Sequence, residues 1–163
     1  MNAVGLECII AAVSSPFGNS SRGLVRGSGE KLHEITAAIM GGDARQLMEK
    51  RRRGVASGEI QASLGGSAIR IPCLVLSLPG PGSFTGEDSL EIELPGNPHL
   101  LSAVESALIQ NANRSGYSAR EAGPGEFSAR AFLAGRIGLL EAEGVAALIS
   151  ARNEVELQAA QQL

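Results

Sequence analysis

Three carboxylates stand close together in Ser83-Phe84-Thr85-Gly86-Glu87-Asp88-Ser89-Leu90-Glu91, directly after the loop Pro79-Gly80-Pro81-Gly82. Proline and glycine fix the path of such a loop, so it delivers Glu87, Asp88 and Glu91 to the start of a strand. A carboxylate there is a natural acceptor for a guanidine-like edge with two parallel donors, as a pterin ring presents. The same residues read equally well as a turn with solvated acids. Arg26 is a second candidate. It ends a predicted strand just before Gly27-Ser28-Gly29, where backbone turns leave room for an anionic or carbonyl group. The third candidate is the stretch Pro124-Gly125-Glu126-Phe127-Ser128-Ala129-Arg130-Ala131-Phe132-Leu133. Most of it is helix-start chemistry, with Glu126 and Arg130 spaced to pair. Arg136 follows at a break between helices, from where it can reach the main body.

Other chemistries are poorly represented. The two lysines, Lys31 and Lys50, follow no GxxxxGK[ST] loop. His33 and His99 match no ligand spacing and read as surface residues. Cys8 and Cys73 form no CxxC pair and read as buried, reduced thiols of a cytoplasmic protein. A net charge of −3 argues against holding nucleic acid by bulk charge, and the basic run Arg51-Arg52-Arg53 reads as a solvated segment. No stretch resembles a signal peptide or reaches membrane-spanning length.

The elements that must position these residues follow from periodicity. Strands are predicted over 6–13, 22–27, 54–62, 68–78, 88–94 and 117–122. Gly65-Gly66 joins the third and fourth, and Pro72 predicts an edge or a bulge. In DSLEIEL, Leu90, Ile92 and Leu94 face a core while Glu91 and Glu93 face away. Helices are predicted near 29–40, capped by Ser28, then over 43–52, 98–113 and 125–134, with a long one from Leu139 to Leu163. Four Phe, one Tyr and no Trp leave the core aliphatic. The fold class is α+β, followed by a helical segment, with a composition shift near 118–123.

Together, SFTGED at 83–88 with Leu90 and Glu91, PGEFSxRAFLxG at 124–135, and more loosely Ile9 to Gly29 resemble the tRNA-modification GTPase family of the MnmE/TrmE type. The resemblance implies a folate-binding, aminomethyltransferase-like mixed sheet with flanking helices over residues 1–120. Residues 121–163 would be the first helices of a truncated helical domain. It further implies a homodimer that binds 5-formyl-tetrahydrofolate or a related reduced folate through Arg26, Glu91 and Arg136. It places GTP, magnesium and potassium ions only in a GTPase domain that these residues do not include. A flavin-dependent partner protein, and tRNA whose wobble uridine is modified, are the implied partners. Some positions depart from the family pattern. Leu94-Pro95-Gly96-Asn97-Pro98 stands where the family has Gly-His-Gly-Gly-Pro, so the His is missing, and Arg136 stands where it has a Lys. A dimerisation or interaction module with a vestigial folate pocket is therefore the alternative. A self-sufficient aminomethyltransferase-like enzyme, with Asp88 as its acid or base, is a third reading.

Overall fold

The computed structural model describes residues 8–16 and 18–160. Its strands are β1 (Ile9–Val13), β2 (Ser20–Ser28), β3 (Met40–Gly41), β4 (Gly54–Leu64), β5 (Ser67–Leu78), β6 (Ser89–Gly96) and β7 (Ala119–Glu121). They form one seven-stranded sheet in the order β3-β4-β5-β6-β2-β1-β7. Every neighbouring pair is antiparallel except β1 and β7, which run parallel, so the sheet is mixed. The helices are α1 (Leu32–Ala37), α2 (Gly42–Glu49), α3 (Pro98–Arg114), α4 (Glu126–Leu133), α5 (Leu139–Ser150) and α6 (Glu154–Ala160). The expected α+β class is thus observed.

The β4–β5 hairpin turns on Gly65 and Gly66, with φ of 59° and 81°. A two-residue turn with both φ positive matches the twist of the strands it joins. Helix α3 starts where Pro98 needs no N–H partner and the Asn97 side chain accepts from His99 N and Leu100 N. One face of the sheet carries Val25, Ile60, Val75, Leu90, Ile92 and Leu94, all essentially inaccessible. They pack against Leu32 and Ile35 of α1, Met48 of α2, and Leu101, Val104 and Leu108 of α3. The alternation predicted for β6 is observed, with Glu91 and Glu93 half-buried on the opposite face.

Several boundaries differ for identifiable reasons. Ser28 does not cap a helix. It ends β2, and its hydroxyl is engaged with Thr85 and Glu87 instead. Helix α1 begins only at Leu32, after Lys31 in the left-handed region. Pro72 causes no bulge, since β4 and β5 keep one register from Gly54↔Ser77 to Leu64↔Ser67. It lies in the part of β5 that extends past its pairing with β6, which begins at Leu74. There the lost N–H donor interrupts no second ladder. The long terminal helix is broken at 151–153, where Asn153 Oδ1 accepts the Glu156 N–H and caps α6. Expectations for residues 6–7 and 161–163 fall outside the described residues.

Candidate functional site

Strands β2 and β6 lie side by side with Arg26 opposite Glu91. On the sheet face away from the core, Arg26 Nε donates to Glu91 Oε1 at 2.9 Å, and Nη2 lies 2.7 Å from the same oxygen. Both contacts fall on Oε1, and Oε2 has no hydrogen-bond partner among the described residues. The Arg26 guanidinium also sits 5.6 Å from the centre of the Phe127 ring, within cation–π range. The pair lines a cavity of about 460 Å³. Its apolar walls are Leu78, Phe84 and Phe127, with Val145 and the largely exposed Ile149 of α5 at one edge, and Thr85, Ser89 and Leu90 also line it. A mostly apolar cleft with a few convergent polar groups is the usual form of a small-molecule site.

The other two carboxylates are spent on structure. Glu87 meets Arg130 of α4, with Nη1 2.9 Å from Oε2. Arg130 is only 2 % exposed and also donates to the Cys8 carbonyl at 2.8 Å and to Glu126 Oε1 at 3.2 Å. The Glu126–Arg130 spacing therefore forms its expected pair, and Arg120 adds two contacts of 2.7 Å to the Glu126 carboxylate. Those hydrogen bonds from Arg120, against the opposing effect of burial, hold the Glu126 carboxyl down at about 2.

Asp88 is buried. Its Oδ1 accepts from Arg51 Nη2 at 2.7 Å and from Gly80 N at 3.1 Å. Burial pushes its carboxyl up, but the hydrogen bonds from Arg51 and Gly80 together with His33 outweigh that and keep it below the ordinary value. Arg51 reaches it because α2 ends two residues earlier, at Glu49, and Arg51 takes φ 44°. The basic run is thus exposed, as expected, but its first member is held by Asp88. His33 is not on the surface. It is fully buried, with Nε2 2.8 Å from Ser77 Oγ and Nδ1 3.4 Å from Asp88 Oδ2. His99 is exposed as expected.

Burial lowers the His33 pKa below 6.5, more than the attraction of Asp88 raises it. The unfolded chain binds a proton near pH 6.5, while the folded imidazole does so only at lower pH. Folding stability from this group is therefore complete above about pH 6.5 and falls on acidification through the window just beneath it. A melting temperature that declines as the pH falls below about 6.5, and a flatter profile in His33→Gln, is the expected result. An identical slope in that variant would show that another group takes up the proton.

Of the three residues expected at the site, the fold brings Arg26 and Glu91 into contact. Arg136 lies outside the cavity lining. It is exposed between α4 and α5, and its aliphatic stem passes over Gly86, 3.7 Å from where a Cβ at that glycine would sit. The residues missed were Phe127, which backs Arg26, and Arg130, whose burial depends on Glu87, 43 residues away. An aromatic at 127 carries no sign in the sequence of which surface it meets.

These observations define an α+β body with a cavity of small-molecule size at its junction with a helical segment. Residues 9–136 match the family described as GTP-binding protein TrmE N-terminus, and the chain belongs to that family. Among curated relatives, it is 40% identical over 152 residues to the tRNA modification GTPase MnmE of Halorhodospira halophila, covering 93% of this chain and 29% of that protein. It is 38% identical over 153 residues to MnmE of Thermus thermophilus, covering 93% of this chain and 33% of that protein. With MnmE of Opitutus terrae it shares 37% identity over 155 residues, 95% of this chain and 31% of that protein. The chain spans about a third of the length of the curated relatives it matches.

Proposed function

We propose that this chain binds a reduced folate, 5-formyl-tetrahydrofolate or a close relative, and pairs with a second copy of itself. It would do so within a protein that modifies the wobble uridine of tRNA together with a flavin-dependent partner. The observation that carries the reading is the Glu91 carboxylate. It is fixed by Arg26 through one oxygen and stands in an aromatic- and aliphatic-walled cavity. The donor set suits a pterin. Glu91 accepts two parallel N–H groups, Phe84 and Phe127 offer faces for stacking, and Arg26 is left to meet a carbonyl or formyl oxygen. Arg136 would take the anionic tail beyond the cavity. A bound folate supplies a one-carbon unit; the chain's own residues hold and orient it. The likeness to an aminomethyltransferase-like folate fold is supported by the mixed sheet and the position of Glu91 on its open face. The same face of β4 and β5 exposes Val55 and Leu74, apolar area that a second copy would cover.

Isothermal titration of 5-formyl-tetrahydrofolate into the protein tests the reading. Wild type binds. Glu91→Ala loses about 3 kcal/mol, roughly a hundredfold in Kd, because a charge-assisted acceptor is gone and the ligand donors are left unpaired. No heat with wild type, or equal affinity in Glu91→Ala, rejects it and leaves an interaction module with a vestigial pocket.

A further inference from the structure

The cavity wall is assembled from two parts of the chain that share few buried apolar contacts. On one side lie the sheet and the loop 83–88, with Thr85, Ser89 and Glu91. On the other lie Phe127 and Ser128 of α4 and Val145 and Ile149 of α5. In α4 and α5 the buried residues are Arg130, Ala131 and Gly144. Phe132, Leu133, Leu139, Leu140 and Leu148 of the same stretch are exposed. An apolar core therefore does little to seat these helices on the sheet.

Two guanidiniums span the gap: Arg120 of β7 holds Glu126 of α4, and the buried Arg130 of α4 reaches back to the body. Arg130 bonds Glu87 of the loop and the Cys8 carbonyl just before β1. From Glu87 a line of hydroxyls runs back to the cavity. Ser28 Oγ donates to Glu87 Oε2 at 2.8 Å and lies 2.7 Å from Thr85 Oγ1, which is 3.1 Å from Ser89 Oγ. Ser28, Thr85 and Ser89 are all buried, so the line has little competition from water.

We infer that Arg130 is a positioning residue whose ion pair with Glu87 seats α4 and α5 over the sheet, so that occupancy of the cavity and seating of these helices are thermodynamically linked. This rests on the folate reading of the same cavity. A ligand held by Glu91 on the sheet and by Phe127 and Val145 on the helices binds the seated arrangement better than the unseated one. It therefore shifts the population toward seating. Linkage is reciprocal, so whatever loosens the seat weakens the ligand by the same factor.

The experiment combines titration of 5-formyl-tetrahydrofolate with amide hydrogen exchange on the full chain, for wild type, Arg130→Gln and Arg130→Lys. Wild type is expected to bind and to gain protection across 139–150 on binding. Arg130→Gln is expected to exchange faster over 126–150 without ligand, to keep wild-type protection in β4–β6, and to bind roughly tenfold more weakly. Arg130→Lys, which keeps the charge but reaches fewer acceptors, recovers part of that loss. Binding by wild type with no added protection in α5, or wild-type affinity in Arg130→Gln, overturns the linkage and leaves the folate reading standing. No binding by wild type overturns both. Should Arg130→Gln fail to fold, the ligand-induced protection of wild-type α5 decides the matter alone.

Discussion

Gly58→Ala is expected to lower stability by about 3 kcal/mol, at the upper end for overpacking a close contact. The midpoint of thermal unfolding should drop by roughly 10 °C in a chain of this size. Gly58 lies in β4, facing the corner where β3 passes into α2. A Cβ there would collide with the Gly41 carbonyl oxygen and stand 2.6 Å from the Ala44 Cβ. Gly42 also bridges directly to Gly58. Two of these contacts are backbone and the third is a fully buried methyl, so none can swing aside as a long side chain would. Relief must come from moving α2 off the sheet. That movement also withdraws Arg51, which follows α2 and is held on Asp88 at the end of the loop 83–88. Urea unfolding monitored by circular dichroism measures the loss. A wild-type midpoint in Gly58→Ala would mean that the corner does not pack against β4 in this way.

Much of the frame was legible because it rests on local rules. The period-two pattern of 88–94 placed Leu90, Ile92 and Leu94 inward and Glu91 on the other face without knowledge of any neighbour. The Gly65-Gly66 turn and the start of α3 at Pro98 were equally local. What stayed hidden depends on distant partners. Glu126 and Arg130 read as a surface pair at helical spacing, yet Arg130 is buried because Glu87 and the Cys8 carbonyl come to meet it. His33 matched no ligand spacing, and its burial follows from Ser77, 44 residues on, offering a hydroxyl in the core. Ser28 looked like a helix cap because Ser before a helical pattern normally is one. Its hydroxyl found Glu87 and Thr85, supplied by the loop 83–88. The break after Ser150 was the local exception. Asn153 with Glu156 three residues on has the form of a helix start, and the apolar stripe running through it masked the signal.

Neighbouring residues of β6 should separate stability from ligand binding, and Ile92→Ala gives the sharpest contrast. Ile92 is fully buried between Val25 of β2 and Val75 of β5, so truncation leaves a cavity in the centre of the sheet. The expected cost is about 3–4 kcal/mol. Its side chain points to the helices α1 to α3, away from Arg26 and Glu91. Under conditions where the variant is folded, its affinity for 5-formyl-tetrahydrofolate should therefore stay close to that of wild type. Glu91→Ala should behave in the opposite way. Its side chain and that of Arg26 are 24% and 38% exposed, and pairs so open to water contribute at most about 1 kcal/mol. Stability should hardly move while binding collapses. Urea unfolding and calorimetric titration of both variants measure the crossing. If Glu91→Ala unfolds as readily as Ile92→Ala, the carboxylate holds the sheet together rather than a ligand. If Ile92→Ala loses ligand while still folded, the two faces of β6 are coupled and the period-two division of labour is wrong.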